Sequence, residues 1–425
     1  MEPRETARRT VREIADRLAS SNRIDKAALA QGWWPQSLAH GAAGVALLHI
    51  ELARAGEGPW QRAHDWIACA AAGGVAGGPD AHLYYGAPAL AFTLHAAADR
   101  PGRYARALAT LDTHVTTLVR QRLRDAHIRI ERSELPALAE FDTIRGLSGL
   151  GALLLHRGTH ADLLHDVLTY LVRLTEPVEY EGDLLPGWWS LLAPSGKPAS
   201  DYPGGHSNHG VAHGIGGPLA LLALAARCGI TVPGQLDAIR TILAWLNRWR
   251  QDGAAGPWWP YWITRDQLRS GRPAPGPARP SWCYGTAGLA RAQQLAALAT
   301  GDPEQQRAAE DALLRAMTDG GQLAATVDLS LCHGFAGLLH ITRLVTADAL
   351  TQGLTECLPG LLKPFTDAVP DQLAAVLLPG TRPDIGLLEG AAGTALALHA
   401  FAADSPSLTG WDTGFLTASP AKEHT

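Results

Sequence analysis

Seven times along the chain a polar or aromatic residue precedes Gly-x-x-Gly, and each time a nearly unbroken Ala/Leu-rich apolar run follows. The phrases begin at His40-Gly41, Tyr85-Gly86, Arg145-Gly146, His213-Gly214, Tyr284-Gly285, His333-Gly334 and Glu389-Gly390. Only the second, with Ala89, lacks its second glycine. The leading glycines are 45, 60, 68, 71, 49 and 56 residues apart, room for two helices each but too irregular for a standard solenoid. Runs such as Val45–Ala53 and Leu219–Arg227 carry too little polar content for an exposed face and predict inner-wall helices. The Arg-bearing amphipathic stretches between them, such as Arg103–Leu111, predict an outer layer. The expected fold is all-α, a double-layered α/α toroid of about seven helical hairpins filling residues 1–405 as one domain. Pro-, Gly- and Trp-rich segments near 176–207 and 253–282 predict loop insertions with short strands, and residues 406–425, following Ala403, predict a loosely ordered tail.

Composition narrows the function class. Of 425 residues, 46% are hydrophobic and 18% charged, which suits a core-rich folded enzyme. The net charge of −5 supplies no cationic field for nucleic acid or anionic lipid, so no nucleic-acid partner is expected. No apolar run approaches the ~20 residues that span a bilayer. The N-terminus carries charges of both signs and no apolar signal region, so a cytoplasmic location is expected. Five scattered cysteines do not make a disulfide framework and favour free or metal-bound thiols.

If the repeats are equivalent, residues preceding the leading glycines converge at one end of the ring. The slot directly before the glycine holds His40, Tyr85, Arg145, His213, Tyr284, His333 and Glu389; the slot before that holds Cys283 and Cys332 in repeats five and six. Cys332 and His333 are sequence neighbours and can share one metal only from a turn. With Cys283 they form a soft N/S set suited to tetrahedral Zn²⁺ with one position open, the pattern of a catalytic site. His40, Tyr85 and Glu389 read as helix-start residues or hydrogen-bond partners, and His49, His95, His340 and His399 as structural. Cys69, Cys228 and Cys357 read as core thiols. The pairs Trp33-Trp34, Trp188-Trp189 and Trp258-Trp259 fit either a peptide-binding rim or loop packing.

Ser281-Trp282-Cys283-Tyr284-Gly285, Leu331-Cys332-His333-Gly334 and Asn208-His209-Gly210-Val211-Ala212-His213-Gly214-Ile215 resemble the signatures of lanthionine synthetase C-like proteins, the LanC cyclases. The likeness runs from about His40 to His399 through all seven repeats. It implies one zinc per chain bound by Cys283, Cys332 and His333, and an active site lined by Asp142, His213 and Arg279. It also implies Michael-type addition of peptide cysteine thiols to dehydroalanine or dehydrobutyrine, forming lanthionine and methyllanthionine thioether rings. His213 suits proton transfer, because the unperturbed pKa of a histidine is close to neutrality, and Asp142 suits orienting or charging it.

The partners then expected are a dehydrated precursor peptide, a separate dehydratase, since a chain of this length leaves no room for one, and a transporter, with peripheral association to a membrane biosynthetic complex compatible with the sequence. Two alternatives stand beside this. One is a LanC-like protein that adds glutathione to dehydrated residues. The other is an α/α-toroid hydrolase or terpene cyclase built on carboxylates such as Asp142 and Glu389. Thirty-two arginines against four lysines suggest a GC-rich bacterial genome and favour the cyclase.

Overall fold

The computed structural model describes residues 3–21, 33–367 and 384–419. Seven inner helices follow the seven glycine phrases: Ala42–Arg54, Ala87–Ala96, Leu147–Arg157, Gly216–Arg227, Thr286–Thr300, Phe335–Asp348 and Ala391–Ala403. Each packs against the next, and the seventh packs against the first, so the ring closes. Burial explains their composition, because every residue from Leu219 to Ala225 is buried. A helix with apolar residues on all sides must sit between two layers.

The outer layer is amphipathic, as in Ala161–Arg173, which buries Leu163, Leu164, Val167, Leu168 and Leu171 and leaves its charges outside. Helices Trp60–Ala71, Ala105–Glu131, Ala161–Arg173, Gln235–Trp249, Pro303–Thr318 and Leu354–Asp367 each back the inner helix that precedes them. The seventh inner helix is backed by Pro3–Arg17 from the other end of the sequence. The expected α/α toroid is therefore present, its last hairpin completed by the N-terminal helix.

Six three-residue strands lie in the insertions. β1 (Val178–Tyr180) and β2 (Asp183–Leu185) form a hairpin, β4 (Gln251–Gly253) and β5 (Gly256–Trp258) another. β3 (His206–Asn208) pairs antiparallel with β6 (Trp262–Thr264), tying the two insertions together directly before the fourth glycine phrase. Trp188, Trp189, Trp258 and Trp259 are buried, so these pairs pack the insertions onto the ring, and only Trp34 is strongly exposed.

Two expectations need correcting. The segment after Ala403 is not a loose tail within its described part: Trp411, Phe415 and Leu416 are buried, and a 3-10 turn spans Trp411–Phe415. Its apolar side chains enter the ring, where Gly414 lies beside Phe92 and Leu83. Residues 420–425 fall outside the described residues. Of the three cysteines read as core thiols, Cys357 is buried, whereas Cys69 is half-buried and Cys228 exposed.

Candidate metal centre

The glycine phrases build a common turn. In repeats one, five and six a serine four places before the leading glycine accepts the backbone N–H three residues on: Ser37 from His40 (3.1 Å), Ser281 from Tyr284 (3.2 Å) and Ser330 from His333 (3.3 Å). Asp142 does the same for Arg145 at 2.6 Å in repeat three. These side-chain caps close the turn before the inner helix begins. The second glycine is needed because a carbonyl from the incoming chain lies over the helix start. A Cβ at Gly288 would stand 2.1 Å from the Trp282 oxygen, and one at Gly337 2.2 Å from the Leu331 oxygen.

The turns are then stitched to one another around the rim. Ala212 N–H donates to the Cys283 carbonyl (3.4 Å), Cys283 to Cys332 (3.2 Å), Cys332 to Leu388 (2.9 Å) and Leu388 to Ala39 (3.3 Å). All five residues occupy the same slot in successive repeats. The direct backbone bond between Cys283 and Cys332 brings residues 49 positions apart side by side. Ligand atoms of Cys283, Cys332 and His333 all lie within 4.8 Å of one another. The structure thus brings together the three residues expected to bind metal.

Electrostatics fits a cation here. A hydrogen bond from the Cys332 thiol, aided by ones from His333 and Ser281, pulls the buried Cys283 thiol well below its ordinary range. The hydrogen bond to Cys283 and burial push Cys332 well above it, since a second thiolate would sit beside the first. A divalent ion would relieve that repulsion and hold both as thiolates. His333 presents Nε2 to Asp328 Oδ2 at 3.2 Å. A carboxylate on one ring nitrogen fixes the tautomer and leaves Nδ1 for a metal. Sequence reasoning missed Asp328; its signal is an Asx turn, with Oδ1 accepting Ser330 N–H at 2.8 Å.

His213 stands on one side of the cluster, with Nδ1 2.7 Å from Asp142 Oδ2. Asp142 is only 1% exposed, and its other oxygen accepts the N–H groups of Arg145 and Gly146. Burial works against a charged His213, but the Asp142 hydrogen bond and charge, with the Cys283 thiolate, outweigh it and raise its pKa. Tyr284 directly follows Cys283, with its ring centroid 6.4 Å from that of His213 and its hydroxyl accepting Asn208 Nδ2 at 3.2 Å. Burial raises the Tyr284 phenol, so it stays protonated. Its position directly after Cys283 was the available signal for a role.

Arg279 is at the edge. Its carbonyl accepts the Tyr261 hydroxyl at 2.7 Å, its Nε is buried without a partner, and it makes no ion pair among the described residues. On the other side, Glu389 Oε1 is 3.9 Å from His333 Nδ1, and His40 Nδ1 is 2.5 Å from Asp384 Oδ2. A pocket of about 400 Å³ between β1 and the helix Arg265–Ser270 shares no residue with this centre. Its Arg265 is already paired with Asp183 and Glu181.

A ring of seven inner and seven outer helices with a Cys-Cys-His cluster at its rim defines a class, and the chain belongs to the lanthionine synthetase C-like protein family, whose model matches residues 32–416. It is 26% identical to the nisin biosynthesis protein NisC of Lactococcus lactis subsp. lactis over 267 residues. That match covers 62% of this chain and 61% of the relative, so the chain matches under two thirds of that protein's length. A solved structure of a nisin cyclase superposes with a TM-score of 0.74 at 22% identity, covering 97% of both chains, and shares the fold.

Proposed function

We propose that this chain is a zinc-dependent lanthipeptide cyclase that joins peptide cysteine thiols to dehydroalanine or dehydrobutyrine. The single observation that carries the reading is the convergence of the Cys283, Cys332 and His333 ligand atoms within 4.8 Å beside a His213–Asp142 pair. Cys283, Cys332 and His333 would hold the ion and leave it able to take a substrate sulfur. When bound, zinc would hold that sulfur as a thiolate at neutral pH.

The chain's own residues manage the rest. Carbon–sulfur bond formation at the β-carbon moves the alkene electrons toward the adjacent carbonyl as an enolate, which must gain a proton at the α-carbon. His213 has Nδ1 committed to Asp142, so Nε2 is the atom that delivers it. Arg279, with its unpartnered Nε, is the cation nearest in sequence to the cysteine turn and would steady the enolate oxygen. The reading brings a dehydrated precursor peptide as substrate, a separate dehydratase to make it, and a transporter to export the product. It also places the reaction in the cytoplasm, with peripheral contact to a membrane biosynthetic complex. No helix among the described residues is long and apolar enough to cross a membrane.

The test is metal analysis joined to product analysis. The purified protein should hold one zinc, and incubation with a dehydrated, cysteine-bearing peptide without ATP should leave the mass unchanged while removing free thiols. Cys332→Ala should lose both metal and ring formation while keeping its helical circular dichroism. Zinc-free active protein, or a product heavier by one glutathione when glutathione is added to the incubation, would overturn the reading.

A further inference from the structure

The metal cluster has an imidazole–carboxylate pair on each side, and the function proposed above uses only one. His40 and His213 occupy the same slot before the leading glycines of repeats one and four. Each has Nδ1 bound to an aspartate, His213 to Asp142 at 2.7 Å and His40 to Asp384 at 2.5 Å. Each aspartate is fixed through its other oxygen by backbone N–H groups, in Asp384 by that of Gly386 at 2.8 Å. Both imidazoles are about one third exposed, at 34% and 36%, so both face the mouth of the ring. Around the rim the order is repeat four with His213, repeats five and six with the ligands, repeat seven with Glu389, and repeat one with His40.

Glu389 links the second pair to the centre. Its Oε1 is 3.9 Å from His333 Nδ1, and its carboxylate lies within 4.8 Å of the His40 ring and of Asp384. A cation among His40, Asp384 and Glu389 is disfavoured, because at 2.5 Å His40 Nδ1 and Asp384 Oδ2 bond each other directly. With Nδ1–H donated to Asp384, Nε2 of a neutral His40 carries a lone pair. The hydrogen bond to Asp384, against the effect of burial and with the charges of Asp384 and Glu389, raises the basicity of that ring.

Cyclisation needs two proton transfers. A cysteine thiol must lose its proton to become the nucleophile, and the enolate must later gain one. We propose that His40, held by Asp384, is a second acid–base group of this site and accepts the proton of the incoming thiol, leaving His213 to serve the enolate. The S–H bond breaks, its electron pair stays on sulfur, an N–H bond forms at His40 Nε2, and the imidazolium returns the proton to solvent through the mouth. The proposal rests on the cyclase reading. Its rival is a single shuttle in which His213 takes the thiol proton and returns it to the α-carbon.

Thiolate formation can be watched without ring closure. Protein substituted with cobalt(II) is mixed rapidly with a short peptide bearing one cysteine and no dehydrated residue, and growth of the sulfur-to-cobalt charge-transfer band is followed. His40→Gln should keep full cobalt but form the band about 10²-fold more slowly, the lower end of what a positioned acid–base group contributes. Asp384→Asn should slow it in the same direction, and added imidazole should restore the rate of His40→Ala. His213→Asn should form the band at the wild-type rate. A wild-type rate in His40→Gln, slowing in His213→Asn instead, or loss of cobalt from His40→Gln overturns this proposal alone. Wild-type protein that takes up no cobalt overturns the cyclase reading with it.

Discussion

Both oxygens of Asp142 are committed, one to the N–H groups of Arg145 and Gly146 and the other to His213 Nδ1. The imidazole therefore cannot rotate its Nδ1 away, and the pair acts as one unit. His213→Asn should keep stoichiometric zinc and slow ring formation by ~10²–10⁴-fold. Asp142→Asn should resemble it, and the double variant should be about as slow as the worse single one, because coupled neighbours do not add. A double variant slower by the product of the two effects would show independent roles. The sign of the pH effect follows from the raised His213 pKa. A group used as an acid works below its pKa, so activity should fall only above the ordinary histidine value of about 6.5. Metal would neutralise the contribution of Cys283, but that of Asp142 remains. In Asp142→Asn the falling limb of the pH–rate profile should therefore move to lower pH.

At the scale of the element, the turn before each inner helix decides what the rim can hold. The repeat was legible because close approach demands glycine whatever the neighbouring residues are. A Cβ at Gly393 would stand 1.8 Å from the Leu387 oxygen, and one at Gly149 2.0 Å from that of Thr143. The slot residues were legible for the same reason, since a fixed offset from a fixed turn gives a fixed direction. What spacing did not carry was the stitching between turns, in which Cys283 N–H donates to the Cys332 carbonyl. Asp328 and Asp384 lie six residues before their glycines, a position that Asp80, Glu140 and Asn208 take in three other repeats, but nothing in that spacing says that the carboxylate turns toward the slot histidine. Gly288→Ala tests the link from turn to metal. Its Cβ would meet the Trp282 carbonyl at 2.1 Å and displace Cys283. It should cost about 1–3 kcal/mol, as overpacking does, and lower zinc occupancy. Gly320→Ala, with nothing within 4 Å of the added carbon, should do neither. Full zinc occupancy in Gly288→Ala would mean that the cysteine turn tolerates the shift.

At the scale of the whole molecule, both ends of the sequence finish what the repeats begin. Pro3–Arg17 backs the seventh inner helix, a role no local pattern announces, since its partner lies nearly 400 residues away. The segment after Ala403 was misread because its short, mixed run of Ser, Thr, Gly and aromatic residues has no helical or strand period. Its order comes from partners elsewhere. The buried Glu51 carboxylate accepts Leu408 N–H and Thr409 N–H at 2.9 Å each, together with the Ser407 and Thr409 hydroxyls. Farther on, Tyr84 donates its hydroxyl to the Gly414 carbonyl at 2.8 Å, and Trp282 its indole N–H to that of Phe415 at 2.9 Å. Trp282 precedes Cys283, so the segment supports the cysteine turn from inside the ring. Glu51→Gln weakens the clasp, because an amide brings one acceptor oxygen where the carboxylate has two, and should cost about 1–3 kcal/mol. Removing everything after Asp404 should cost more, since Trp411, Phe415 and Leu416 leave their buried positions. In both variants thermal unfolding should come at lower temperature, and a chelator should strip zinc faster than from wild type, fastest in the truncation. Zinc loss at the wild-type rate from a truncated protein that unfolds early would confine the segment to stability and leave the cysteine turn self-supporting.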